Sequence, residues 1–156
     1  DGEGMDEGAL KLAIERHALP FLKVFLPKLR EESFYQGMPY LITLVPFSRV
    51  AVSDAVGFAL GAELAVILVG ERPGLSAHDS MGVYLTYNPK PGTSDGERNC
   101  LSNIRPPDGL SYELAADQLC YLLRESLLRR LSGVGLKMKD LESDRILPDK
   151  IIAALP

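Results

Sequence analysis

The run Leu64-Ala-Val-Ile-Leu-Val-Gly70-Glu71-Arg72-Pro73-Gly74-Leu75 decides how the chain is expected to fold. Leu64 to Val69 is continuously apolar, without the alternation of a strand that keeps one wet face, and reads as a strand covered on both sides. Gly70 lets the chain turn and Pro73-Gly74 forces it to, so Glu71 and Arg72 stand at the carboxyl end of a buried strand. In open α/β sheets that end is where ligands bind. The expected working edge of the protein is therefore the one carrying Glu71.

Upstream, Tyr40-Leu-Ile-Thr-Leu-Val45 is rich in strand-forming residues and lies between Gly37 and Pro46. Ser53 reads as a helix cap, Asp54 suits the positive end of the dipole, and Gly61 stops the short helix between them. Strand, helix and the Leu64–Val69 strand make a β-α-β unit, which predicts a right-handed crossover and parallel pairing. Downstream, 81–87 and 99–104 read as strands with no helix between them, expected as an antiparallel edge. Residues 111–131 give the clearest helix, with Ala116, Leu119, Cys120, Leu123, Leu127 and Leu131 on one face and Asp117, Arg124 and Glu125 away from it. At the start, Asp6 caps a helix that Pro20 breaks or kinks, followed by a second helical run from Phe21 to Glu32 that bends or restarts at Pro27. The predicted fold class is α/β: a Rossmann-like open sheet, mostly parallel with an antiparallel edge, and helices on both faces. One domain is expected over 1–137, with a tail over 138–156.

Composition sets the outer bounds. The chain has 156 residues, 46% hydrophobic and 24% charged, enough for one domain with a core. A net charge of -4 argues against a broad nucleic-acid surface. No apolar run approaches the ~20 residues of a membrane helix. Cys100 and Cys120 do not make a disulfide framework, which with no secretory leader points to a reducing, cytosolic setting. The first residue is Asp1 rather than Met, which reads as a fragment lacking its upstream part.

Several chemistries find little support. Neither a G-x-G-x-x-G nor a P-loop string is present. Ser76, His78 and Asp79 are triad residue types, but they are crowded into one loop and lack the nucleophile elbow. His17 and His78 are far apart, and neither cysteine belongs to a C-x-x-C pair, so no metal site is expected. Cys120 reads as a buried thiol, whereas Cys100, among Glu97, Arg98, Asn99 and Asn103, either lines a site or fills a strand end. Glu71 and Arg72 either serve a ligand or form a loop ion pair clamping Asp79 or Asp95. Arg98 and Arg105 read as site residues or simply as surface charges. Glu71, Arg72, Asn88, Asn99 and Asn103 all fall at expected strand ends, a set of donors and acceptors suited to an amide-rich ligand.

Gly70-Glu-Arg-Pro-Gly-Leu75, then Arg98-Asn-Cys-Leu-Ser-Asn-Ile104, then Ser132-Gly-Val-Gly135 occur in an order and spacing that resemble the small (light) subunit of ethanolamine ammonia-lyase, from Asp1 to about Leu136. The resemblance implies an adenosylcobalamin-dependent lyase converting ethanolamine to acetaldehyde and ammonia. It implies a large catalytic partner subunit that binds ethanolamine, and a small subunit that completes the corrinoid site at the interface. It also implies a higher-order hetero-oligomer in the cytoplasm or in a bacterial microcompartment, and a further strand ahead of Asp1. Cofactor contacts carry over to Val50 in Ser-Arg-Val, Glu71 in Gly-Glu-Arg-Pro-Gly, and Cys100 before Leu-Ser-Asn-Ile. Ser48 stands where the family often has Gly, and Leu101 where it has Ile. The chain has no Asp-x-His-x-x-Gly string, in keeping with a cofactor that keeps its own base on cobalt. The alternative function is a scaffold domain that does not bind corrinoid.

Overall fold

Ala13, His17, Phe21, Phe25 and Leu29 recur at every fourth residue and form the buried stripe of one long helix, α1 (Glu3–Glu31). It continues through both Pro20 and Pro27, correcting the expected break. Each proline frees the carbonyl four residues back, at Arg16 and Lys23, and both of those residues are exposed where water can satisfy them. Burial of the Phe21 and Phe25 rings, stacked with centroids 5.6 Å apart, outweighs the local penalty.

The structure, a computed structural model, describes residues 3–46, 48–71 and 79–136. After α1 come α2 (Val52–Ala59), β1 (Leu64–Gly70), β2 (Met81–Tyr87), β3 (Arg98–Ile104) and α3 (Tyr112–Arg129), with short 3-10 turns at Asp95–Glu97 and Gly133–Gly135. The loop 72–78, with Arg72, Ser76 and His78, and the expected tail 138–156 lie outside the described residues.

The strands form one three-stranded sheet in the order β1-β2-β3, and both pairings are antiparallel. The Rossmann-like, mostly parallel sheet is thereby overturned. β1 turns back through a hairpin, closed where the Glu71 N–H donates to the Ser80 carbonyl at 2.9 Å, and takes β2 as its neighbour. Tyr40–Val45 forms no strand: it is irregular, and Leu41, Ile42 and Leu44 are exposed. Strand propensity reflects fit to a paired, half-buried surface, and here no described strand pairs with that segment. β1 is half-buried along its whole length rather than fully covered.

One face of the sheet makes the core. Met81, Val83, Leu85 and Ile104 pack with Phe21, Phe25 and Leu29 of α1 and with Ala115, Ala116, Leu119, Cys120, Leu122 and Leu123 of α3. Ser111 caps α3, its Oγ accepting from the Leu114 N–H at 3.2 Å, as its sequence suggests. Glu125, expected on the wet side, is buried and accepts from Arg129 Nε at 2.8 Å. α2 begins one turn after Arg49, at Val52, rather than being capped by Ser53. The Ser53 hydroxyl instead donates to the Val50 carbonyl at 2.8 Å.

Burial in this core pushes the Cys120 thiol up from 9.0 to about 12. The neutral thiol is favoured in the folded state, so its contribution to stability is intact below pH ~9 and fades as pH rises towards 12. At pH 8, iodoacetamide is expected to modify the exposed Cys100 in the folded chain and to leave Cys120 intact until urea is added. Equal reaction rates at the two thiols would contradict this packing.

Candidate functional site

Side chains alternate across a strand, so the residues between the core positions face the other way. The strand register sorts them into rungs. Ala65, Thr86 and Arg98 form the first, and Ile67, Tyr84 and Cys100 the second. Val69 and Gly82 form the third, beside a β-bulge at which β3 has an extra residue.

α2 lies over the first rung. A methyl group placed on Gly57 would meet Pro89 at 2.5 Å and the Ala65 side chain at 3.4 Å, which shows how closely the helix backbone lies there. At its first turn, Asp54 reaches down to Arg98. Arg98 Nη1 and Nη2 donate to the two Asp54 carboxylate oxygens at 2.6 and 2.7 Å, with both side chains almost fully buried. Arg98 is therefore no surface charge, and Asp54 holds its guanidinium still more firmly protonated than usual. Arg105 is mostly buried, with Nη1 3.9 Å from Asp108.

Beyond α2 the described face is open. Ile67, Val69 and Tyr84 are half-buried, and Cys100 and Ser102 are exposed. The Cys100 thiol lies 3.3 Å from the Ser102 hydroxyl. A hydrogen bond with Cys100, more than burial, pushes the Tyr84 phenol up to about 12. Glu71 crosses above Gly82, where a Cβ would stand 3.3 Å from Glu71 Cγ, and its Oε1 accepts from the Asn103 N–H at 2.7 Å. A Cβ here would press on the carboxylate, which glycine lets lie low across β2. Its second oxygen, Oε2, remains turned over the same glycine.

Glu71 and Cys100, two of the residues carried over by resemblance, thus stand on the open half of one sheet face. Val50 is half-buried at the entry to α2, where its carbonyl accepts from both the Ser53 N–H and hydroxyl. Arg72, the cation of the clamp expected on Asp79 or Asp95, lies outside the described residues, and among those described both carboxylates have other partners. Arg16 bonds Asp79, and Asp95 accepts from Arg98 Nε at 3.3 Å.

The asparagines divide between the two ends of the sheet. Asn103 stays beside Glu71, but Asn88 and Asn99 lie at the opposite end. There Asn99 Oδ1 accepts from the Gly133 N–H at 2.6 Å, so its role is to hold the chain after α3. Tyr84 went unremarked as a site residue because it reads as an ordinary strand aromatic. Its period-two relation to Gly82 and Thr86 was the available signal. His17 is a core residue, its Nδ1 2.7 Å from the Tyr112 hydroxyl.

These features define an α+β domain whose sheet is closed by two helices on one side and, among the described residues, left half-open on the other. The family model described as ethanolamine ammonia-lyase light chain (EutC) matches residues 5–137, and the chain belongs to that family. It is 52% identical over 131 residues to a protein of Azotobacter vinelandii named ethanolamine ammonia-lyase small subunit, covering 84% of this chain and 47% of the relative. Proteins of the same name from Pseudomonas fluorescens and Pseudomonas putida are 49% identical over 143 residues and 50% identical over 131, covering 88% and 84% of this chain and 50% and 47% of themselves. The chain spans about half the length of these curated relatives.

Proposed function

We propose that this chain forms one side of an adenosylcobalamin site in an ethanolamine ammonia-lyase, and that a large catalytic subunit supplies the other side and binds ethanolamine. The observation that carries the reading is the half-open sheet face, on which Glu71 and Cys100 sit together with Tyr84 between the flanking strands. A corrin is a broad, largely apolar disc rimmed with amides. The residues fit such a group. Ile67, Val69, Tyr84 and the Cys100 thiol offer a flat, weakly polar floor, and Val50, at the entry to α2, is the third contact in this reading. Glu71 has one oxygen held by Asn103 and another available to accept from an amide N–H.

When bound, adenosylcobalamin supplies the radical chemistry, and the protein supplies binding, orientation and exclusion of water. Glu71 orients the rim through a carboxylate already fixed by a backbone N–H, so little side-chain freedom remains to be lost on binding. Val50 and Cys100 exclude water from the apolar disc. The assembly is proposed to be a higher-order hetero-oligomer in the cytoplasm or in a bacterial microcompartment. No described helix is long and apolar enough to cross a membrane.

In the two-subunit complex, Glu71→Ala is expected to weaken adenosylcobalamin binding by about 1–3 kcal/mol, roughly 5- to 150-fold in Kd. Cys100→Trp, which puts a large ring on the floor, is expected to weaken it at least as much. Titration by visible absorbance reads both, and unchanged affinity in both variants would defeat the assignment. A stable two-subunit complex that takes up no corrinoid would favour a scaffold role, for which the exposed Leu41, Ile42 and Leu44 offer an apolar contact. The isolated chain is expected to bind cofactor weakly, because half a site meets the full cost of association with half the contacts. Micromolar binding by calorimetry would contradict that.

A further inference from the structure

Arg98 spends all its donor positions inside the protein. Besides the fork onto Asp54, Nη1 donates to Thr86 Oγ1 at 3.3 Å, Nη2 to the Thr93 carbonyl at 3.0 Å, and Nε to Asp95 Oδ1 at 3.3 Å. The guanidinium is thereby fixed to β2 and to the loop and 3-10 turn that precede β3. Two residues along the same face of β3 stands Cys100.

α2, by contrast, has little to place it. It is eight residues long and has no side-chain cap, so its own helical propensity cannot hold it in position. Among the contacts that seat it are the close approach of Gly57 to Ala65 and Pro89, and the Asp54–Arg98 fork at its first turn. Val50 is tied to that same turn by the two bonds from Ser53. A continuous set of short links therefore runs from Val50 through Ser53 and Asp54 to Arg98 and on to Cys100. A bidentate fork fixes direction as well as distance, which a single charge does not.

We propose that the Asp54–Arg98 fork is a positioning clamp that sets Val50 against the rung carrying Cys100 and so fixes the span of the cofactor site. The inference rests on the cofactor-site reading above. Asp54 and Arg98 touch no cofactor in this scheme and act through Val50.

The test uses the two-subunit complex with the full-length small subunit. Asp54→Glu keeps both charges and lengthens the clamp by one methylene. The adenosylcobalamin Kd is expected to rise at least tenfold, while complex recovery and the KM for ethanolamine stay within twofold. Loss of folded subunit alone would instead lower recovery. In a Val50→Ala background the same change is expected to alter Kd less than threefold, and in a Glu71→Ala background to keep its full effect. Full effects in both backgrounds, or an unchanged Kd in Asp54→Glu, would overturn the clamp. Where Asp54→Glu does not assemble, Arg98→Lys, which keeps the charge and loses the fork, is expected to show the same split, and an unchanged Kd there overturns it equally. If neither Val50→Ala nor Glu71→Ala alters Kd, the cofactor-site reading falls and takes the clamp with it, a result distinct from full effects in both backgrounds.

Discussion

Asp54→Ala is expected to lower the unfolding free energy by about 3–5 kcal/mol, because it leaves a guanidinium buried without its countercharge. The Arg98 side chain is 3% exposed and Asp54 is 4% exposed, so water cannot replace the lost carboxylate without opening the structure. The remaining partners are two neutral oxygens and Asp95, whose side chain is 99% exposed and whose charge is correspondingly screened. Against a total stability of roughly 5–15 kcal/mol, the loss should be plain in urea denaturation followed by circular dichroism. The double variant Asp54→Ala with Arg98→Met is expected to recover much of it, since removing both charges removes the uncompensated one. A loss below ~1 kcal/mol in Asp54→Ala would mean that the pair is not buried as described.

That pair also marks where sequence reading stops. Asp54 and Arg98 are 44 residues apart, and nothing in either neighbourhood names the other. Asp54 was legible as a residue at a helix N-terminus and Arg98 as a site residue or a surface charge, neither of them as half of a buried pair. Elements set by local pattern were legible in advance: the apolar runs of β1 and β2, the 3.6-residue period of α3 and its Ser111 cap. The antiparallel β2–β3 pair was legible too, from the missing helix between those strands, but the pairing of β1 was not, because a continuous apolar run is equally consistent with parallel and antiparallel neighbours. Tyr40–Val45 has the composition of a strand, but composition does not supply the partner that a strand requires. Pro20 and Pro27 argued for two helices, and the fourfold-spaced stripe from Ala13 to Leu29 carried the helix through them.

The candidate site divides in the same way. Val50 was reached by resemblance alone, Glu71 and Cys100 by their strand ends as well, and strand ends alone would have grouped Asn88 and Asn99 with them. Only the register separates the upper end of the sheet, with Glu71, Gly82 and Asn103, from the lower end, with Asn88, Asn99 and Gly133. Tyr84 emerges as a site residue only once Cys100 is known to lie opposite it.

This separation leads to the second large effect, at Gly133. The residue has φ +84°, and a Cβ there would lie 2.1 Å from the Gly96 carbonyl oxygen and 2.6 Å from the Glu97 backbone. Adopting a left-handed conformation is unfavourable for alanine by roughly 1–2 kcal/mol. The collision is with backbone, not with a side chain able to swing aside, and forcing it open should add about 1–3 kcal/mol. It would also pull apart a docking set in which Asn99 grips Gly133, while Ser132 Oγ accepts from the Tyr87 N–H at 2.8 Å and donates to the Glu97 carbonyl. Gly133→Ala is therefore expected to destabilise the chain by about 2–5 kcal/mol in urea denaturation. Yet Gly82 and Tyr87 are five residues apart on β2, roughly 17 Å of strand, and sites at such a distance usually act independently. In the assembled complex, Gly133→Ala should leave adenosylcobalamin affinity within about twofold wherever the subunit remains folded. Gly82→Ala should do the reverse. The atoms nearest its Cβ all belong to the movable Glu71 side chain, from 3.3 Å, so stability should hold while the carboxylate is lifted and affinity falls. If both variants lowered stability and affinity together, the two ends of the sheet would be one cooperative unit, and the separate placement of Glu71 at the upper end would no longer explain binding.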